Sequence, residues 1–295
     1  MNRRRFTQAT TLASLLTAQW NRLLAEQVNK AFLGSIGIQL YTVRHQLGKD
    51  RKGTLKAIKD MGYVQVEPYE FPKYKAVVED AKELGLTVNS THIEWNSVLN
   101  PSAPGVPPFE RVLEAARAAG ISHLVIPTID PKDRKTLDDY KRAAEKCNRA
   151  AVLAKTAGIQ LAYHNHTFEF EPMEGGKAGY DVLIEEFTSE MLFEVDIFWV
   201  QLGKRDPRKL IESLKGRVPQ IHLKDLRSGK KLPDIIEGWW SLTTETFAEL
   251  GEGVIPLNPI LETAKAAGVK YCHVEQDLSD DPLKSIQQSL TYLRS

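Results

Sequence analysis

Cysteine is scarce in this chain. Cys147 and Cys272 are its two cysteines in 295 residues, far apart and outside any C-x-x-C pair. No disulfide framework holds such a fold, and two unpaired core thiols are expected. An excess of either charge is also missing: 39 basic against 38 acidic residues leave a net charge of +1. No global field therefore draws in DNA, RNA or an anionic membrane, and nucleic acid is not expected as a partner. A long apolar run is missing too, so no stable membrane span is expected. Nor does a G-x-G-x-x-G turn follow the first β-prone run, which removes the main sign of a dinucleotide-binding open sheet. What remains is 42% hydrophobic and 26% charged residues, enough for a large core under a solvated surface.

The first 30 residues differ from the rest. MNRRRFTQATTLASLLTA (1–18) carries three arginines ahead of a weakly apolar stretch, too short and too polar to span a bilayer. Arg3, Arg4 and Phe6 stand as in a twin-arginine export signal, with Asn2 where Ser or Thr is usual. Residues 1–30 are expected to be a signal and linker, with a periplasmic or exported protein behind them. A non-functional signal would leave the protein cytoplasmic.

From Ser35 onward, strand-like and helix-like stretches alternate. The strands read IGIQLY (36–41), VQVE (64–67), LTVNSTH (86–92), SHLVIP (122–127), GIQLAYHNH (158–166), MLFEVD (191–196), VPQIHLKD (218–225) and VKYCHVE (269–275). Amphipathic stretches such as 51–62, 109–120 and 134–157 lie between them. Eight strands, each followed by a helix, predict a single-domain (β/α)8 TIM barrel over 31–295. A long excursion at 226–255, holding Trp239 and Trp240, is expected to cover one end of the barrel.

The strand ends carry the chemistry. The last four strands finish on His164, Asp196, His222 and Glu275, about 25 to 55 residues apart. Two imidazoles and two carboxylates from successive strands suit one divalent cation at a barrel mouth. Mn²⁺ is expected first, with Co²⁺, Fe²⁺ or Zn²⁺ as alternatives to it. Any one of these residues alone reads equally well as a hydrogen-bonded strand end. His166 shares a face with His164 and is expected to orient the metal shell or meet substrate, unless it caps a turn. Lys224 shares the face of His222 and suits a developing oxyanion; its structural alternative is a pair with Asp225 or Glu275. Glu67 and His92 end strands two and three as acid/base groups, substrate contacts or supports of the metal ligands. Trp199 and the Trp239–Trp240 pair are expected either to wall a sugar pocket or to be core. Arg44 and His45 read as solvated loop residues.

At these residues the chain resembles the xylose isomerase-like TIM barrel family of sugar isomerases, epimerases and an AP endonuclease. The likeness runs through IQLYTVR (38–44), GYVQVEPYE (62–70), LAYHNHTFEF (161–170), FEVDIFWV (193–200), GRVPQIHLKD (216–225), ELGEGVIP (249–256) and HVEQD (273–277). It implies a Glu, Asp, His, Glu metal shell, matched here by Asp196, His222 and Glu275, with His164 in place of the first Glu. It also implies a small carbohydrate or cyclitol substrate and an enediolate beside a carbonyl, formed with Glu275 as base and His164 or His166 as its counterpart. Returning the proton makes an isomerase or epimerase. The Y-H-x-H, H-L-K-D and V-E-x-D segments are similar to the inosose dehydratase branch and to keto-glycoside-processing enzymes, where β-elimination makes a lyase. A three-metal endonuclease site is not expected, because Trp199 stands where that branch has a histidine. A barrel that binds an exported sugar without turning it over is the alternative from another class. Oligomeric state is not legible in the sequence.

Overall fold

The computed structural model describes Phe32, residues 34–229, Leu232, Pro233, Ile236 and residues 238–295. The export signal expected at 1–30 lies outside the described residues. Eight parallel strands form one sheet: β1 (Ile36–Gln39), β2 (Gln65–Glu67), β3 (Ser90–His92), β4 (His123–Ile126), β5 (Gln160–His164), β6 (Met191–Asp196), β7 (Gln220–Leu223) and β8 (Tyr271–Val274). β8 pairs with both β1 and β7, so the sheet curls back on its start. β2 and β3 sit at its two ends and meet through bonds such as Val66 N–H to Thr87 O at 2.9 Å and His92 N–H to Pro68 O at 2.9 Å. The result is the predicted (β/α)8 barrel.

The helices form where cap and periodicity coincide. Asp50 accepts from Gly53 N–H ahead of the helix Arg51–Met61. Thr136 and Asp139 close a capping box on Leu137–Thr156. The buried faces of these helices pack on the outward-pointing strand residues, among them Ile38, Val66, Leu124, Tyr163, Val195, Ile221 and Val274. The apolar core is therefore the ring between strands and helices.

The barrel interior is polar instead. His92 of β3 hydrogen-bonds to Glu194 of β6, and Gln220 and His222 of β7 to Glu67 of β2, across strands that are not neighbours, which requires these side chains to meet in the lumen. Alternation puts Gln39, Glu67, His92, His164, Glu194, Asp196, Gln220, His222 and His273 on this inner face. Gly37 lies there as well. A Cβ at that position would meet Gln65 Cγ at 2.5 Å and His273 Cδ2 at 2.6 Å, so the bare backbone makes room for two large polar side chains.

The strand ends differ from expectation in detail. β1 stops at Gln39, and Leu40–Val43 turns as a 3-10 helix because the Gln39 side chain accepts from Tyr41 N–H. β5 ends at His164. Asn165 then ties the end of β5 to β6, accepting from Asp196 N–H at 3.0 Å and donating to Asp196 O at 3.2 Å.

Candidate active site

His164, Asp196, His222 and Glu275 converge at the C-terminal end of the barrel, with one donor atom of each within 4.8 Å of all the others. His164 Nε2 and His222 Nδ1 each lie 3.9 Å from Asp196 Oδ2. His222 Nδ1 is 2.8 Å from Glu275 Oε2. All four side chains are buried.

The remaining atoms of these residues are committed elsewhere, which fixes their orientation. Asp196 Oδ1 accepts from Phe198 N–H at 3.0 Å and Trp199 N–H at 3.2 Å, capping the short helix Ile197–Leu202. Its Oδ2 has no well-aligned hydrogen bond. His164 Nδ1 faces Glu194 Oε2 at 3.0 Å, leaving Nε2 toward Asp196. His222 Nε2 faces Glu67 Oε2 at 2.7 Å, leaving Nδ1 toward Glu275. Each histidine thus sits between a supporting carboxylate and the convergence point, the arrangement in which a metal-ligating imidazole is held by an outer partner.

Lys224 lies beside this set. Its ammonium is 2.6 Å from Asp277 Oδ2, 2.8 Å from Glu275 Oε2 and 3.0 Å from Asp196 Oδ2. Burial works against its charge, but Asp196, Asp277 and Glu275 hold it well above the usual lysine range. Burial likewise opposes ionisation of Glu275, yet Lys224 and His222 keep that carboxyl well below its ordinary value. Asp196 goes the other way. Burial, with repulsion from Glu275, pushes it up to about 6 despite Lys224 and His222.

These observations fit a divalent cation. Three buried carboxylates, Asp196, Glu275 and Asp277, crowd around the Lys224 ammonium, and the one pushed up to about 6, Asp196, turns its Oδ2 toward both His164 Nε2 and His222 Nδ1. Donors about 2.1 Å from one ion stand roughly 3 to 4 Å apart, which matches the separations found. His222 is also held well above the usual histidine range by Glu194 and Glu275 against the effect of burial. Its Nδ1 proton must leave for metal to bind.

The other residues singled out in the sequence divide by depth. His92 reaches the pocket, and its Nε2 donates to Glu194 Oε2 at 2.7 Å. His166 also reaches it, its ring 5.0 Å from that of His164, and its Nδ1 has no hydrogen-bond partner among the described residues. Glu67 is fully buried beneath His222 and receives Gln39 and Gln220 side chains; it supports the ligands and does not line the pocket. Trp199 is fully buried behind His166 and Lys224, 5.4 and 5.0 Å away, so it is core and not a pocket wall. The cause is local: Asp196 caps a helix that turns Trp199 inward. Trp240 stands on the wall instead. The side chain of Trp239 lies outside the described residues. Lys224 is paired with Glu275 but not with Asp225, which binds the loop at 251–255. Arg44 is no simple solvated residue, since it donates to Tyr41 O and Asp277 O across the mouth.

Glu194, Gln220, His273 and Asp277 belong to the site and were not singled out from the sequence. The signal was available. Glu194, Gln220 and His273 each precede a strand-end residue by two positions, so alternation aims them into the same lumen.

Above the floor is a cavity of about 310 Å³, at the small end of ligand pockets. His92, His164, His166, Lys224, Glu275 and Asp277 form its polar part. No helix among the described residues is long and apolar enough to cross a membrane.

Comparison with known proteins agrees with this architecture. Residues 55–295 match the model of the xylose isomerase-like TIM barrel family. An inosose dehydratase from Clostridium perfringens is 26% identical over 183 residues, 57% of this chain and 58% of that protein's length. The chain thus spans little more than half of that curated relative. A sugar phosphate isomerase/epimerase from Parabacteroides distasonis superposes with a TM-score of 0.69 at 22% identity, covering 88% of this chain and 94% of that one. The IOLI protein, solved with a bound zinc atom, superposes with a TM-score of 0.65 at 15% identity, covering 88% and 98%. At these identities the two solved structures speak for the fold alone. The family match extends over most of the sequence, and the chain belongs to the xylose isomerase-like TIM barrel family.

Proposed function

We propose that this protein is a divalent-metal-dependent enzyme acting on a small carbohydrate or cyclitol through an enediolate beside a carbonyl. The observation that carries the reading is the convergence of His164, Asp196, His222 and Glu275 beside Lys224 under one cavity. His164 Nε2, Asp196 Oδ2, His222 Nδ1 and Glu275 Oε2 would hold the ion, with Mn²⁺ the first candidate and Co²⁺, Fe²⁺ or Zn²⁺ next. Bound there, the ion supplies Lewis-acid polarisation of a carbonyl and a neighbouring hydroxyl.

The chain's own groups do the rest. Glu275, kept ionised by Lys224, takes the proton from the carbon next to the carbonyl. Lys224, held as a cation by its three carboxylates, counters the charge that develops on oxygen. His164 has one nitrogen on Glu194 and the other at the ligand cluster, so His166, with its unpartnered Nδ1, is the better counterpart for returning the proton. Return of the proton makes an isomerase or epimerase. Elimination of a β-oxygen substituent is the second reading, a dehydratase or lyase on a keto-sugar or inosose. His164 favours it, because an imidazole occupies the β5 position where a symmetrical two-carboxylate epimerase needs a second glutamate.

Asp196→Asn tests the metal directly. Asn keeps an oxygen for Phe198 and Trp199 N–H but loses the anionic ligand, so bound metal and turnover should vanish together while folding survives. Asp196→Ala should lose the cap as well, at about 1 kcal/mol of stability. Full activity in the metal-free Asn variant would sink the proposal. Export is proposed from Arg3, Arg4 and Phe6, and it implies an unphosphorylated substrate. Fractionation of cells expressing the full chain and an Arg3→Lys/Arg4→Lys form checks it; equal cytoplasmic retention of both would remove it.

A further inference from the structure

Glu169 is a buried carboxyl that takes no part in the reading above. It lies in the 3-10 turn Phe168–Phe170, just past β5, and is fully buried. Burial pushes it up to about 7, although both of its oxygens accept hydrogen bonds. A carboxyl in such a place is costly, and an apolar residue of similar volume would fill the space without the penalty. What the carboxylate offers is two acceptors for two donors. Oε1 accepts from the Tyr163 hydroxyl at 2.6 Å, and Oε2 from the backbone N–H of His166 at 2.8 Å.

These bonds join two layers of the barrel. Tyr163 points outward from β5 into the apolar ring, whereas His166 reaches the pocket from the loop beyond the strand. Asn165, one residue earlier, is already tied to the Asp196 backbone. Glu169 then fixes the next N–H, so the chain is held on both sides of the point where the His166 side chain leaves it.

The ring itself is placed by packing. It lies flat against Phe168, 5.4 Å between centroids and 8° between planes, with Trp199 5.4 Å away. Phe168 in turn has the Arg134 guanidinium 3.3 Å over its centroid. Stacked rings tolerate offset, so the stack sets the plane of the imidazole while the backbone anchor sets how far it reaches.

We propose that Glu169 is a positioning residue: by accepting the His166 N–H, it sets the reach of the His166 imidazole over the pocket floor. The proposal rests on the reading of His166 as the counterpart of Glu275 and adds the group that places it.

The test uses the full chain loaded with Mn²⁺ in D₂O, with an inosose and a 3-keto-glucoside. When Glu275 exchanges its proton with solvent and returns it, the starting compound is recovered with deuterium; when His166 acts, product forms. The ratio of product to deuterated starting compound therefore follows His166, and general damage to the fold lowers both without moving the ratio. Tyr163→Phe/Glu169→Leu removes the buried pair at similar volume and strands no hydroxyl, so the fold should survive. Its ratio is expected to fall about 10- to 100-fold. Glu169→Gln keeps a carbonyl oxygen for the His166 N–H and should restore most of the ratio. In metal-free protein with labelled histidine, the His166 ring signals, assigned by their absence in His166→Gln, should shift or broaden in the double variant. Those of His123, at the opposite end of the barrel, should stay. A wild-type ratio in the double variant, or equal loss of exchange and product, would overturn the proposal. So would a wild type that forms neither, because no proton step would remain to position. A ratio that moves in His166→Gln alone sinks only the role of Glu169, whereas one that moves in neither variant sinks the reading of His166 as well.

Discussion

Glu194 sets the orientation of three imidazoles at once. Its Oε2 meets His92 at 2.7 Å and His164 at 3.0 Å, and its Oε1 meets His222 at 3.2 Å and the Gln220 amide. Burial opposes its charge, but His222 and His92 hold it well below the usual carboxylate range. A permanent anion here makes each ring present its other nitrogen outward, toward ligand positions in His164 and His222. Glu194→Gln replaces two acceptor oxygens with one and adds an amide donor that faces N–H groups. Metal affinity is expected to fall about 10- to 100-fold, as for other supports of ligating histidines, with the circular dichroism spectrum retained. Competition against a chelator measures it, and an unchanged affinity would mean that the rings are oriented by packing alone.

Among the elements, the β7 end and the loop that follows depend on Asp225. Its carboxylate is buried and accepts from Leu226, Gly251, Gly253 and Ile255 N–H at 2.8 to 3.1 Å. One side chain therefore satisfies four backbone donors and pins the ELGEG turn beside the barrel mouth. Asp225→Ala leaves those donors unpaired and should cost about 3 kcal/mol, hydrogen bonds to charged groups being worth about 1.5–3 kcal/mol each with some recovery from water. Asp225→Asn should cost roughly half of that. Urea denaturation gives both numbers; a loss below about 0.5 kcal/mol for Ala would show that the turn holds itself. Lys224, the next residue back, points to the opposite face, as strand alternation demands. That is why the pairing of Lys224 with Asp225 does not occur.

For the whole molecule, the barrel was legible because the strands are short and apolar outside, most of them close on a polar residue, and amphipathic helices, some with their own caps, lie between them. The candidate ligand quartet was legible for the same reason, since strand ends of a parallel barrel must share one face. Two features were not. The layer of Glu194, Gln220 and His273 lies below the strand ends, and reading only the last residue of each strand passes over it. The inward turn of Trp199 depends on Asp196 capping a helix within one residue of β6, a competition between cap and loop that apolar patterning does not reveal. Of the excursion at 226–255, Trp240 stands on the cavity wall, placed by the turn at Gly238, a tertiary fact.

The most direct measurement of the central claim is proton exchange at the carbon beside a carbonyl. Protein lacking residues 1–30 and loaded with Mn²⁺ would be incubated in D₂O with an inosose and with a 3-keto-glucoside, the metal removed, and proton spectra recorded. Deuterium entering the carbon next to the carbonyl is expected in the wild type and not in Asp196→Asn. An intact skeleton would identify an isomerase or epimerase, and loss of water or of the aglycone a lyase. Exchange at the same rate in wild type and Asp196→Asn would contradict the account, because the four-residue cluster would then have no part in forming the enediolate.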